Sequence, residues 1–81
     1  MTIAESLIKH IAEALPPGFE TDIRDTARLS GGVIVNSGPD YVDVKFINRM
    51  KAELFMRDLQ HADAPIPYEV LPGPIVRAKV P

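Results

Sequence analysis

Three carboxylates, Glu20, Asp22 and Asp25, fall within six residues, the kind of oxygen-rich grouping that holds a hard cation such as Mg²⁺ or Ca²⁺. Their spacing matches no calcium loop. On an extended chain Glu20 and Asp22 point one way and Asp25 the other, with Arg24 among them, so the stretch is expected to be a solvated, partly self-neutralised surface rather than a metal site. The two histidines, His10 and His61, sit on the polar side or margin of expected helices and lack HExxH spacing; Asp58 and Asp63 are only helix neighbours of His61. Ser6, Ser30 and Ser37 have no GxSxG elbow around them. Gly31 and Gly32 lack the further glycines of a dinucleotide fingerprint, and there is no GxxxxGK[ST] loop. The chain contains no cysteine, which removes thiolate nucleophiles, thiolate metal sites and disulfides together. The expectation is a protein that is not an enzyme, with no cofactor, no metal and no small-molecule substrate.

If side-chain chemistry is not the function, the surface that the fold presents has to carry it. The chain has 81 residues, of which 46% are hydrophobic and 25% charged, which suits one small globular domain over residues 1–81. A domain of this size buries only about 60 to 65% of the surface its unfolded chain exposes, so its core is thin and association with a copy or a partner would add stability. The formal charge of -2 argues against general electrostatic attraction to nucleic acid and is too mild for an acidic mimic of DNA. Residues 1–15 have neither a basic start nor a long apolar run, so neither a secretory signal nor a membrane span is expected, and a cytoplasmic location is the default.

Thr2 and Glu5 form a capping-box pattern ahead of Ile3, Leu7, Ile8, Ile11 and Leu15, which share one side at helical spacing; Pro16, Pro17 and Gly18 end that helix. From Phe19 to Leu29 the pattern alternates, with Phe19, Thr21, Ile23, Ala27 and Leu29 on one face, which predicts a strand; Asp25 breaks the alternation and suggests a bulge. Turns at Ser30, Gly31 and Gly32 and at Gly38, Pro39 and Asp40 would then join this strand to Val33, Ile34 and Val35 and to residues 41–47 in a three-stranded antiparallel meander. In the last of these strands Val42, Val44 and Phe46 face one way, and Tyr41, Asp43, Lys45 and Ile47 the other.

Asn48 is a suitable N-cap for a second helix over residues 48–62. Five prolines, Pro65, Pro67, Pro72, Pro74 and Pro81, make residues 64–81 a proline-rich extended segment, with a last strand over residues 75–80 at a sheet edge. The fold class is therefore α+β: two helices packed on one face of a mainly antiparallel sheet, in the order α-β-β-β-α-β. The expected core comprises Ile3, Leu7, Ile8, Ile11, Leu15, Ile23, Val33, Val35, Val42, Val44, Phe46, Phe55 and Leu59.

The second helix carries more apolar surface than one core requires. Ala52, Phe55, Met56, Leu59 and Ala62 gather into a stripe that suits the sheet, while Ile47, Met50 and Leu54 recur at i, i+3 and i+7 outside it. That second stripe either packs on the first helix of its own chain or forms a seam with another molecule. In the latter case Met50 and Leu54 lead the contact, Ile47 and Tyr41 support it, and Arg49 or Arg57 supplies rim charge.

Helix, three-strand meander and helix is also the order of the double-stranded-RNA-binding domain, which this chain resembles in topology. That family opens its second helix with a glycine-containing, lysine-rich stretch, where this chain has Asn48, Arg49, Met50 and Lys51, joined by Lys45 in a small cationic patch. The coarse order, with a strand after the second helix, is also similar to small bacteriophage head-tail connector and tail-terminator proteins, a resemblance that implies ring assembly. The function expected is non-catalytic protein binding, as self-assembly, adaptor or inhibitor, with a small nucleic-acid-binding domain as the alternative. The partner expected is a protein or a second copy, with no membrane.

Overall fold

The computed structural model describes residues 15–62 and 64–81. The helix expected over residues 2–15, with its core candidates Ile3, Leu7, Ile8 and Ile11, falls on positions outside these except for Leu15, as does His10. The described residues form α1 (Phe19–Arg28), β1 (Val33–Ser37), β2 (Tyr41–Lys45), α2 (Arg49–Gln60), β3 (Tyr68–Leu71) and β4 (Ile75–Lys79). The strands make a four-stranded sheet in the order β1-β2-β4-β3, with each neighbouring pair antiparallel. Both helices lie on one face, α1 over β1 and β2 and α2 over β4, in contact with one another. The α+β class is as the sequence indicates, but the order of the described elements is α-β-β-α-β-β. The double-stranded-RNA-binding order, with three consecutive strands between its helices, is not present among them.

The difference begins at residues 19–29, which form a helix and not the first strand of a meander. Phe19, Ile23 and Ala27 satisfy an alternating pattern, but they also stand at i, i+4 and i+8, one side of a helix. Ile23 and Ala27 are buried and Phe19 packs against them, whereas Thr21 and Leu29, which a strand would have buried, face solvent. Asp25, the residue that broke the alternation, lies on the exposed side of α1. Charge placement favours the helix: Glu20 and Asp22 stand in its first turn and Arg28 in its last, each complementing the helix dipole. Glu20 also pairs with Arg24 one turn on, at 3.0 Å.

The helix closes in a Schellman motif, in which Gly32 N donates to Ala27 O at 2.8 Å and Gly31 N to Arg28 O at 3.1 Å. Gly31 takes φ 72°, a left-handed conformation that costs glycine least. Gly32 lies so close to Val44 and Phe46 that a Cβ there would stand 2.6 Å from each side chain.

The core lies between the helices and the inner sheet face, where Val42, Val44, Val76 and Ala78 are fully enclosed with Ile23, Phe55 and Leu59. Phe46 and Phe55 bring their rings to 5.1 Å between centroids. Ile23, Val42, Val44, Phe46, Phe55 and Leu59 were expected there; Val33 and Val35 were too, yet they are 63% and 50% exposed. Val33 pairs with Lys45 and Ile34 with Val44, so Ile34 is the residue of this strand that turns inward; the register then shifts between Ile34 and Asn36, and Val35 has no partner. The bulge expected near Asp25 is found here instead. A run of three β-branched residues does not disclose which of its two faces is buried.

The proline-rich segment folds back as the β3-β4 hairpin. The strand expected at an edge, β4, lies in the sheet interior between β2 and β3, because none of residues 75–79 is a proline and every one can donate to the ladder. The edge falls to β3, bracketed by Pro67 and Pro72. On the other side of β2, Asn48 caps α2 as expected, its Oδ1 accepting from Lys51 N at 2.9 Å. An Asn48→Ala exchange is expected to lower stability by about 1 kcal/mol, measured as a reduced urea midpoint at unchanged slope.

Candidate protein-binding surface

The path from β2 into α2 is held at both ends. Phe46 is buried against Phe55 and donates its N–H to Pro74 O at 3.1 Å, and two residues later Asn48 closes the first turn of α2. Ile47, fixed between these anchors, is 86% exposed, and Met50, one helical turn beyond, is 68% exposed. A backbone already fixed adds no ordering cost of its own when an apolar side chain on it docks, so only the side chain's rotamer freedom is lost.

Ile47 also forms one wall of a hollow of about 340 Å³, whose other walls come from Gly31, Val33, Val35, Lys45 and Phe46. On the helix-bearing side a second hollow, of about 440 Å³, lies between α2 and the β3-β4 turn, with Arg49, Ala52, Met56, Val70, Leu71, Gly73 and Pro74 around it. Val70 belongs to the inner sheet face by its pairing with Val76, yet it is 58% exposed, beside the hollow that separates α2 from the β3-β4 turn. Both hollows open at the same end of the sheet, where Val33, Lys45, Ile75 and Leu71 stand in register. The β2-α2 connection lies between them.

The six residues singled out in sequence are therefore not all together. Ile47 and Met50 form the exposed ridge, and Arg49 adjoins it, paired with Glu53 at 3.3 Å. Leu54 is half-buried, and Arg57 is exposed about two helical turns from Met50. Tyr41 stands at the opposite end of β2 on the open sheet face. There the Arg77 guanidinium lies 4.1 Å from the ring centroid and Asn36 Nδ2 lies 3.5 Å from the hydroxyl. What sequence reasoning missed is the exposure of Val33 and Val35, both expected in the core, and of Val70.

Beside Tyr41, Arg77 forms a two-pronged pair with Asp43 directly across β2 and β4, Nε to Oδ1 at 2.9 Å and Nη2 to Oδ2 at 3.2 Å. The hydrogen bond that Arg77 donates to Asp43 raises the Arg77 pKa further above its ordinary value, so the guanidinium stays charged throughout. Asp43 is buried though it lies on the face opposite the helices. This pair closes on itself and leaves no oxygen or nitrogen converging on a vacant point.

Among the described residues no group of three His, Asp or Glu side chains could hold a metal ion, and no buried side-chain polar atom is left without a partner. Glu20 and Asp25 pair with Arg24 and Arg28 along α1, at 3.0 and 3.9 Å. His61 ends α2, exposed. No helix among the described residues is long and apolar enough to cross a membrane. The chain matches no family model, and neither the curated proteins nor the solved structures yield a match.

Proposed function

We propose that the protein is a non-catalytic binding module, acting through self-assembly or as an adaptor or inhibitor of a larger protein, as small phage or mobile-element accessory proteins do. Ile47 and Met50 lead the contact. The observation that carries this reading is their joint exposure on a connection fixed by Phe46 and Asn48, next to the hollow that Val33 and Val35 line. Aliphatic side chains grouped at one end of a small domain, flanked by concavities, suit the centre of a protein contact.

The test is an Ile47→Asp, Met50→Asp double variant, compared with wild type by native mass measurement after gentle purification from the source cells. Both positions are exposed, so circular dichroism and the urea midpoint should stay within about 0.5 kcal/mol of wild type. Wild type should carry a stoichiometric polypeptide, either a second copy or another chain, and the variant should not. An identical monomer mass for both proteins, or retention of the partner by the variant, would overturn the reading.

A further inference from the structure

We infer that the partner presents an acidic segment: aliphatic side chains enter the hollow beside Val33 and Val35 while flanking carboxylates meet Lys45 and Lys51. This inference rests on the binding role proposed above and adds the chemistry of what is bound. The chain as a whole is negative, with a formal charge of -2, yet the charges around the ridge are mainly positive. Lys45 forms part of the hollow itself, and Lys51 follows Met50 on the exposed side of α2. Neither lysine takes part in an ion pair formed among the described residues. Arg49 lies between them in sequence and shares its charge with Glu53. Arg28, whose carbonyl accepts from Gly31 at the rim of the hollow, has only a long 3.9 Å approach to Asp25.

This distribution selects among occupants. Two copies joined by this patch about a two-fold axis would bring cationic rim onto cationic rim, which opposes association. A nucleic acid would find phosphate-binding cations but an aliphatic ridge where base stacking calls for aromatic rings. A lipid surface is met by a long apolar helix side, whereas here a short ridge stands beside a shallow, open hollow. An acidic polypeptide with aliphatic anchors satisfies both the charge and the shape.

The experiment titrates the isotopically labelled full chain, followed by amide NMR, with three probes. These are a synthetic helix-forming peptide with leucines on one face and glutamates elsewhere, the same peptide with lysines replacing the glutamates, and phosphatidylglycerol vesicles. The acidic peptide should shift Val33, Val35, Lys45, Ile47 and Met50, and its affinity should fall at least about tenfold in a Lys45→Glu, Lys51→Glu variant and weaken with salt. The lysine peptide and the vesicles should leave these signals in place. Equal binding of both peptides, shifts confined to other residues, or preference for the vesicles would overturn the inference. It would also fall if neither peptide binds while the aspartate double variant still loses its native partner, and in that case the docking role itself stands. If that double variant keeps its partner, the docking role falls.

Discussion

A Phe55→Ala protein is expected to be largely unfolded at 25 °C. Phe55 is fully enclosed, packs its ring on Phe46, and belongs to the cluster that joins both helices to the inner faces of β2 and β4. Truncating a buried phenylalanine removes transfer energy and leaves a cavity, together about 3 to 5 kcal/mol. A core in a chain this short rarely supplies more than about 3 to 5 kcal/mol of net stability, so the loss is comparable to the whole. Far-ultraviolet circular dichroism and a urea titration read the effect directly. A variant that keeps the wild-type midpoint would show that the cluster is not centred on this ring.

Asp43→Ala should be the most damaging change outside the core, with a loss of about 2 to 3 kcal/mol. The carboxylate is 5% exposed and holds both prongs of Arg77; without it the guanidinium stays against the sheet and loses both of these hydrogen bonds. Arg77 keeps about a third of its side chain in water, with 31% exposed, which holds the loss below that of a wholly enclosed pair. Asp43→Val combined with Arg77→Val should restore most of the stability, because a β-branched pair across neighbouring strands suits this position and leaves no charge behind. A double-mutant cycle in urea measures the coupling. If the two single losses simply add, the pair contributes nothing of its own.

Where one physical signal dominated, the sequence was a sound guide. The second helix was legible from its cap at Asn48 and the stripe of Ala52, Phe55 and Leu59, and β2 from the clean alternation of Val42, Val44 and Phe46. Residues 19–29 misled because Phe19, Ile23 and Ala27 fit periods of two and of nearly four alike; the carboxylates near the start and the arginine at the end were the signals to weigh. The inner face of β1 was not legible, since Val33, Ile34 and Val35 are equally apolar and the unpaired Val35 shifts the register. Proline count suggested an edge for residues 75–80, but what matters is where prolines fall, and they flank β4 without entering it. Of the surface proposed for binding, the ridge of Ile47 and Met50 could be anticipated from helical spacing. Its neighbours Val33 and Val35 could not, because they come from a strand whose facing depended on that bulge.

The insertion of β4 between β2 and β3 has a kinetic corollary. Asp43 and Arg77 are 34 positions apart, so β2 can pair with β1 long before its other partner is available. During synthesis or transient opening, Tyr41–Lys45 therefore presents bare amide and carbonyl groups along one side, a template to which a stray chain could add. A lone negative charge in the middle of that template discourages such misassembly, much as gatekeeper residues do. Once Arg77 arrives, the same carboxylate becomes the cement of the finished sheet, which gives one side chain a protective duty before folding and a cohesive one after it.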